Sequence, residues 1–389
     1  MPTSEISKMI YLLADAFVPN TATTNRYLGL AKGLKEQGLD FVNISVKPSR
    51  DLYRLDEKTY GKAKYLWFGK HSIWSFFNIL IYGIHIKIIS KSDILLRLFF
   101  RSLSKNDIVI ITTPQQVACA VENNRNGYKI YHERTEHPDV SRRWADDKEH
   151  SKYIEACTRV DGLFVISTSL RDTFVKFGVS QEKIHIINMT VDQSRFEGLM
   201  REHTEPYIAY CGTVTNSKDG VDSLIKSFEI IAKYNKEIKL YIIGPLQNKG
   251  DKNSNIELIK KLHLEHRIVL TGMMSADKMP QMLKNAKILV LARPDNLQAK
   301  NGFPTKLGEY LLTENPVVIT KTGDIPLFLQ DGKSAMLAEP GNEQDIAKKI
   351  LYLLENPSIA TEIGRNGKII ALRNFNSKIE ARKVIEIIA

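Results

Sequence analysis

The chain has 389 residues, with 55 Lys and Arg against 44 Asp and Glu, a net charge of +11, and 43% hydrophobic residues. That length is too great for one compact core and suits two domains of ordinary globular composition. Cys119, Cys157 and Cys211 are odd in number and widely spaced, which excludes a disulfide framework or cysteine metal site and suits a reducing cytoplasm. The positive balance asks for an anionic partner. It is not nucleic acid, because zinc-finger spacing, a basic-region helix and an aromatic RNP pattern are all missing.

In chain order, Met1 to Lys8 is polar and Met9 to Leu13 is too short for the apolar part of a secretory signal. Met9 to Ala14 reads as a strand, Pro19 to Thr24 as a polar loop, Asn25 to Glu36 as an amphipathic helix and Phe41 to Val46 as a second strand. The apolar stretch Ile73 to Ile89 is broken by Asn78, Gly83, His85 and Lys87, and a spanning helix needs about 20 apolar residues. Between Lys62 and Lys105, eight basic residues are interleaved with Trp67, Phe68, Trp74, Phe76, Phe77, Phe99 and Phe100, and Asp93 is the one acid. That mixture suits an anionic membrane surface, or equally a domain core with a solvated face.

Further along, Lys129 to His132 reads as a strand leading to a loop with Glu133, Arg134, Glu136 and His137 before Pro138. Strand ends of this kind hold catalytic groups, which makes Glu136 and His137 candidates, with Arg134 and Glu133 pairing with one another. A surface ion-pair cluster is the alternative. Gly162 to Ser167, Thr168 to Phe177 and Ile184 to Ile187 read as strand, helix and strand, and the domain boundary falls in the polar segment Gln193 to Pro206. The pattern then restarts with a strand Tyr207 to Cys211, a loop Gly212 to Gly220, a helix Val221 to Tyr234 and a strand Lys239 to Ile243. Two strand-loop-helix-strand openings predict two α/β domains with parallel sheets in tandem. They cover residues 1–192 and 207–375, with residues 376–389 forming a helix that packs back on the first domain.

The densest chemistry lies in the second half. A strand, Lys287 to Ala292, and a turn, Arg293 to Asn296, lead to Asn301-Gly302-Phe303-Pro304-Thr305-Lys306-Leu307-Gly308-Glu309, which opens a helix ahead of the strand Val317 to Thr320. Gly and Pro before a first turn admit a ligand close to the backbone. The amides of Thr305, Lys306 and Leu307 then face an anion, and Glu309 lies one turn further in. Phosphate at a helix mouth with a carboxylate beside a hydroxyl-bearing group describes a nucleotide-sugar site. An Asp-x-Asp triplet, a Walker A loop and a Gly-x-Gly-x-x-Gly fingerprint are all missing, so a metal site, a P-loop kinase and a nicotinamide dehydrogenase are disfavoured.

The run Gly302 to Leu311, followed by Pro316-Val317-Val318, resembles the donor-site signature of retaining GT-B glycosyltransferases of family 4. The likeness extends from Met9 to about Phe375. It implies two Rossmann-like domains facing each other across a cleft and transfer of a sugar from a UDP- or GDP-type donor, with no cofactor and no metal. It also implies a ribose contact for Glu309 and a sugar contact at Asn301, where the family usually has Glu. Lys218 matches the family's diphosphate lysine and the chosen catalytic residue, joined by Glu136 and His137. Thr213, after Gly212, occupies the usual Arg position, and Arg293 is the cation that would replace it. Gly272 and Met273 match the nucleobase loop, while Thr24, Asn25, Arg134 and Glu136 are assigned to the acceptor. The acceptor is read as a growing, lipid-linked surface glycan, and the enzyme as cytoplasmic and peripheral on the inner membrane face. The other readings are an epimerase of the same architecture and a nucleotide-sugar-binding protein without turnover.

Overall fold

The computed structural model describes residues 9–14, 22–46, 56–65, 91–140, 146–202, 204–246 and 249–389. The chain forms two compact units, one made of Met1–Ile166, Leu170–Ile187 and Glu380–Ala389, the other of Ser167–Ser169 and Asn188–Ile379.

The first unit holds a seven-stranded sheet of β1 (Ile10–Ala14), β2 (Val42–Ser45), β3 (Lys62–Tyr65), β4 (Ile108–Ile111), β5 (Lys129–Arg134), β6 (Gly162–Val165) and β7 (Ile184–Ile186). Their order is β3-β2-β1-β4-β5-β6-β7, and every pairing is parallel. Strands covered on both faces read as unbroken apolar runs, as Ile108–Ile111 does with all four residues buried. Ile10, Leu12, Leu30, Leu34, Phe164, Ala381, Val384 and Ile388 share one core cluster. Tyr27 donates to the Leu12 carbonyl at 2.7 Å and Tyr131 to the Ile387 carbonyl at 3.2 Å, so each buried phenol has a partner.

The second unit holds β8 (Tyr207–Cys211), β9 (Lys239–Ile243), β10 (Ile268–Gly272), β11 (Ile288–Leu291), β12 (Val317–Thr320) and β13 (Met336–Ala338) in the order β10-β9-β8-β11-β12-β13. These strands too are all parallel. Both sheets therefore have the doubly wound order, in which the chain reverses its direction of growth beside the first strand. In such sheets ligands bind outside the carboxyl ends of the strands at that reversal. In the second unit the position falls between β8 and β11. The expected class, two Rossmann-like α/β domains, is the one observed.

Three local expectations change. The first helix is Ala22–Glu36, so Thr24 and Asn25 lie in its first turn and not in a loop. β5 continues to Arg134, which places Glu133 and Arg134 inside a buried strand. Between Lys62 and Lys105, Lys62–Tyr65 is the edge strand β3 and Lys91–Ser102 is a helix. Phe100 on that helix is fully buried with its ring stacked 6.2 Å from Tyr128, and Phe99 meets Tyr11 edge-on at 5.3 Å. Those two aromatics belong to the core. Trp67, Phe68, Lys70, Trp74, Phe76, Phe77 and Lys87 lie outside the described residues. Among the described residues no helix is long and apolar enough to cross a membrane.

Candidate functional site

The second unit gathers most of the expected donor residues around the ends of β8, β10 and β11. β8 is buried throughout and delivers Gly212 at the reversal point. Gly212 has φ +154°, and its amide donates to the Ile243 carbonyl at 2.8 Å. A Cβ on Gly212 would stand 2.2 Å from Lys306 Nζ, and one on Gly244 would stand 2.0 Å from the Gly212 carbonyl oxygen. Only glycines let these two strand ends and the lysine amine share the space.

Lys306 is held by more than its helix. Its Nζ is 2.7 Å from Asp219 Oδ2, 3.2 Å from the Tyr210 hydroxyl and 4.8 Å from the centre of the Tyr210 ring. Tyr210 also donates to Asp219 Oδ2 at 2.8 Å. Burial pushes the Asp219 carboxyl up, but the Lys306 charge and hydrogen bond, the Tyr210 hydroxyl and the Arg293 charge together hold it below its ordinary value. Asp219 is therefore ionised at neutral pH. Sequence reading assigned Lys306 a role through its backbone amide alone. The side-chain cluster is not legible in the sequence because Lys306 lies 87 residues from Asp219 and 96 from Tyr210.

Lys218 precedes Asp219 on the short helix Asn216–Asp219, not in an open loop, and is partly exposed. Thr213 is exposed, and its carbonyl oxygen lies 2.7 Å from the Tyr210 hydroxyl. Arg293 follows β11, is 2% exposed and has its carbonyl bonded by the Thr320 hydroxyl at 2.7 Å. Gly272 ends β10 at φ +69° with open space around it, and Met273 beside it is 74% exposed.

Asn301 closes the helix Leu297–Asn301 and is buried. Its amide donates to the Leu297 carbonyl at 3.0 Å, and its side-chain oxygen accepts from Ser169 at 3.3 Å. Gly302 and Pro304 are buried, and Phe303 packs 5.4 Å from both Phe328 and Phe375, so its ring is core. In the helix Thr305–Leu312 the Leu307 amide donates to the Pro304 carbonyl at 3.0 Å. It closes the first turn, leaving Thr305 and Lys306 as the amides at the mouth. Tyr310 anchors the helix to β8, its hydroxyl accepting from the Cys211 amide at 2.6 Å.

Glu309 lies one turn into that helix and is paired with Arg195 Nη1. Burial pushes its carboxyl above the ordinary value, although Arg195 and Lys306 pull the other way. Arg195 is not legible as a site residue either, since its segment reads as a polar linker. Among the described residues no three or more His, Cys, Asp or Glu side chains gather where they could hold a metal ion.

The candidates of the first unit are arranged differently from expectation. Glu133 accepts from Arg26 Nε at 2.8 Å and does not pair with Arg134, because neighbouring strand residues point to opposite faces. Arg134 is buried and donates to the His137 carbonyl at 3.4 Å. His137 accepts from the Asp139 amide at 3.2 Å through Nδ1. Burial holds the His137 imidazole below its usual range despite Asp139, so it is neutral at pH 7. Glu136 is half-buried beside it. Thr24 is buried and Asn25 exposed. His132 is structural: it bridges the Ile111 carbonyl at 2.7 Å and the Tyr153 hydroxyl at 2.9 Å, and burial pushes it down to about 3.

Residues 192–369 match the family model described as glycosyl transferases group 1. The capsular polysaccharide biosynthesis glycosyltransferase CapM of Staphylococcus aureus is 26% identical over 52% of this chain and 50% of its own length. The poly(ribitol-phosphate) alpha-N-acetylglucosaminyltransferase of S. aureus is 24% identical over 73% of this chain and 54% of its own. The chain spans about half the length of the curated relatives it matches. Among solved structures, Anabaena HepE in complex with UDP-glucose superposes with a TM-score of 0.75 at 14% identity, over 98% of this chain and 99% of that one. That likeness supports the fold.

Proposed function

We propose that this chain, a member of the group 1 glycosyl transferases through residues 192–369, moves a sugar from a nucleoside diphosphate donor to an acceptor hydroxyl of a surface glycan. The observation that carries the reading is the Gly212–Lys306 approach at the sheet's reversal point, with Glu309 one helical turn beyond it. Two glycine-lined strand ends, a fixed ammonium and a helix mouth suit a diphosphate, and a part-buried carboxylate suits the ribose hydroxyls. The names of the two S. aureus relatives favour a surface polymer, and HepE was solved with UDP-glucose.

In this reading Lys218, Lys306 and the Thr305 and Lys306 amides stabilise charge as the diphosphate leaves, with no metal required. Glu309 holds the ribose, backbone at Asn301–Phe303 orients the sugar, and Gly272 and Met273 border the base. The sugar's bond to the phosphate oxygen breaks while the acceptor oxygen bonds to the anomeric carbon from the same face, giving retention. The acceptor proton passes to the departing phosphate. Glu136, His137, Arg134, Thr24 and Asn25 are assigned to the acceptor. We place the enzyme in the cytoplasm against an anionic membrane surface. The helix Lys91–Ser102 supports this by exposing Ile94 and Leu98, 43% and 56%, one turn apart beside Arg101.

The test is a thermal-shift panel of UDP-, GDP- and TDP-sugars, followed by nucleoside diphosphate release with lipid-linked glycan acceptors. A ligand at 100 times its Kd stabilises by about 2.7 kcal/mol. A shift with one base and release with one acceptor pool is expected, with activity surviving chelation. No shift with any donor would refute the reading. Saturable binding without release would favour a binding protein, as the internally bonded Asn301 amide would allow.

A further inference from the structure

The contact between Arg195 and Glu309 joins a linker-like segment to the heart of the candidate donor site, and the chain is built to make it. Asp192 accepts from the Ser194 amide at 3.1 Å and from its hydroxyl at 2.6 Å, capping the single turn Gln193–Phe196. That cap fixes where Arg195 leaves the backbone. One residue before Glu309, Gly308 removes a side chain that would meet Met189 Cε at 2.5 Å and Val191 Cβ at 3.1 Å. The segment 189–191 can therefore lie directly on the helix. The Val191 amide is bonded to the Phe375 carbonyl at 3.0 Å from its other side.

The guanidinium makes two contacts. Nη1 donates to Glu309 Oε1, and Nη2 donates to the Ala276 carbonyl at 3.2 Å. Ala276 lies four residues beyond Gly272, in the loop that leaves β10. One rigid, planar group thus links a part-buried carboxylate to the loop assigned to the base. Among the described residues Oε2 of Glu309 has no hydrogen-bond partner, so the contact engages one carboxylate oxygen and leaves the other as an acceptor. Without the guanidinium this part-buried carboxylate would lose the contact that fixes its direction.

We propose that Arg195 is a positioning residue for ribonucleotide recognition: it holds Glu309 aimed so that Oε2 accepts from the ribose hydroxyls of the donor. This rests on the donor-site reading above. Discrimination between a ribose and a 2′-deoxyribose then depends on Arg195, although Arg195 need not touch the nucleotide. A purely structural arginine would affect both sugars alike.

The experiment measures, by calorimetry on the full chain, the Kd of UDP against 2′-deoxy-UDP and of GDP against 2′-deoxy-GDP. The proteins are wild type, Arg195→Ala, Arg195→Lys and Glu309→Gln. Wild type is expected to prefer the ribose form of its base by roughly tenfold, about 1.4 kcal/mol. Arg195→Ala and Glu309→Gln should bring the ratio to within about twofold, and Arg195→Lys, which keeps the charge, should recover part of it. A wild-type preference that survives Arg195→Ala and Arg195→Lys unchanged overturns the assignment, as does a wild type that binds without preference. Should Arg195→Ala not fold, Arg195→Lys carries the test, since loss of the planar two-contact geometry should by itself lower the ratio. A wild type that binds neither nucleotide pair overturns the donor-site reading and this assignment with it.

Discussion

Lys306 Nζ stands 2.7 Å from Oδ2 of Asp219, a carboxylate whose side chain is 3% exposed. The pair is a structural unit as well as a source of charge. Removing one partner of a buried pair is costly because the other stays behind without compensation.

Lys306→Met should therefore destabilise the second unit by about 3–5 kcal/mol at neutral pH. Asp219 is now held below its ordinary value, so its contribution is present above the unfolded carboxylate pKa and lost as pH falls. Without the lysine, burial prevails and the carboxyl pKa rises. The difference in melting temperature between variant and wild type should shrink as pH falls through the carboxylate range. Scanning calorimetry across that range checks it, and a constant difference contradicts it.

Glu309→Gln should raise the melting temperature at neutral pH while weakening donor binding. Its carboxyl sits above the ordinary value, so ionisation costs stability as pH rises through the folded pKa. The gain should vanish at pH below the ordinary glutamate range, where both states are protonated. This is the exchange of stability for function expected of a binding carboxylate. A lower melting temperature at neutral pH, with donor affinity intact, would make Glu309 a structural residue.

Two glycine substitutions should part company. Gly272→Ala meets open space and should cost only left-handed backbone strain, about 1–2 kcal/mol. Gly212→Ala would place its Cβ 2.2 Å from Lys306 Nζ, forcing the ammonium off Asp219. Donor affinity should fall tenfold or more by the arithmetic of one lost charged contact, roughly 1.5–3 kcal/mol. Equal effects of the two changes on affinity would mean that the Gly212–Lys306 approach does not matter for binding.

Lys218→Ala should lower turnover by about a hundredfold with a smaller effect on donor Kd, because charge builds on the phosphate mostly in the transition state. The residue is partly exposed, so the melting temperature should hold. Single-turnover rates set beside calorimetric Kd values separate the two effects. Unchanged turnover would remove Lys218 from the mechanism.

Wild type should bind anionic vesicles at low salt and release them as the Debye length falls below about 10 Å. Ile94→Glu with Leu98→Glu, both exposed, should weaken that binding while sparing transfer to a short soluble acceptor. Indifference of wild type to such vesicles at low salt contradicts a membrane-facing role for this helix.

Sequence periodicity located the strands of the second unit well, because each is a short apolar run ended by Gly, Pro or polar residues. Tyr207–Cys211, Lys239–Ile243 and Val317–Thr320 form over the residues expected. It did less well where charged residues are buried. Glu133 and Arg134 looked like loop residues because periodicity treats an ionisable side chain as solvent-facing, whereas Arg26 comes from another element to neutralise Glu133. Lys306–Asp219 and Arg195–Glu309 escaped for the same reason: each pair spans about a hundred residues, and nothing local records the partner. Glu309 itself was legible from the helix signature around it. The cation that steadies it was not.

The return of residues 380–389 to the first unit also orders events during synthesis. Ala381, Val384 and Ile388 fill the same core as Ile10, Leu30 and Phe164. While a ribosome is still making residues 188–379, that core lacks these three side chains and exposes apolar surface. The first unit therefore waits, incomplete and prone to aggregation, until the second has been translated. A fragment ending at residue 187 should be poorly soluble, and adding residues 377–389 as a separate peptide should rescue it.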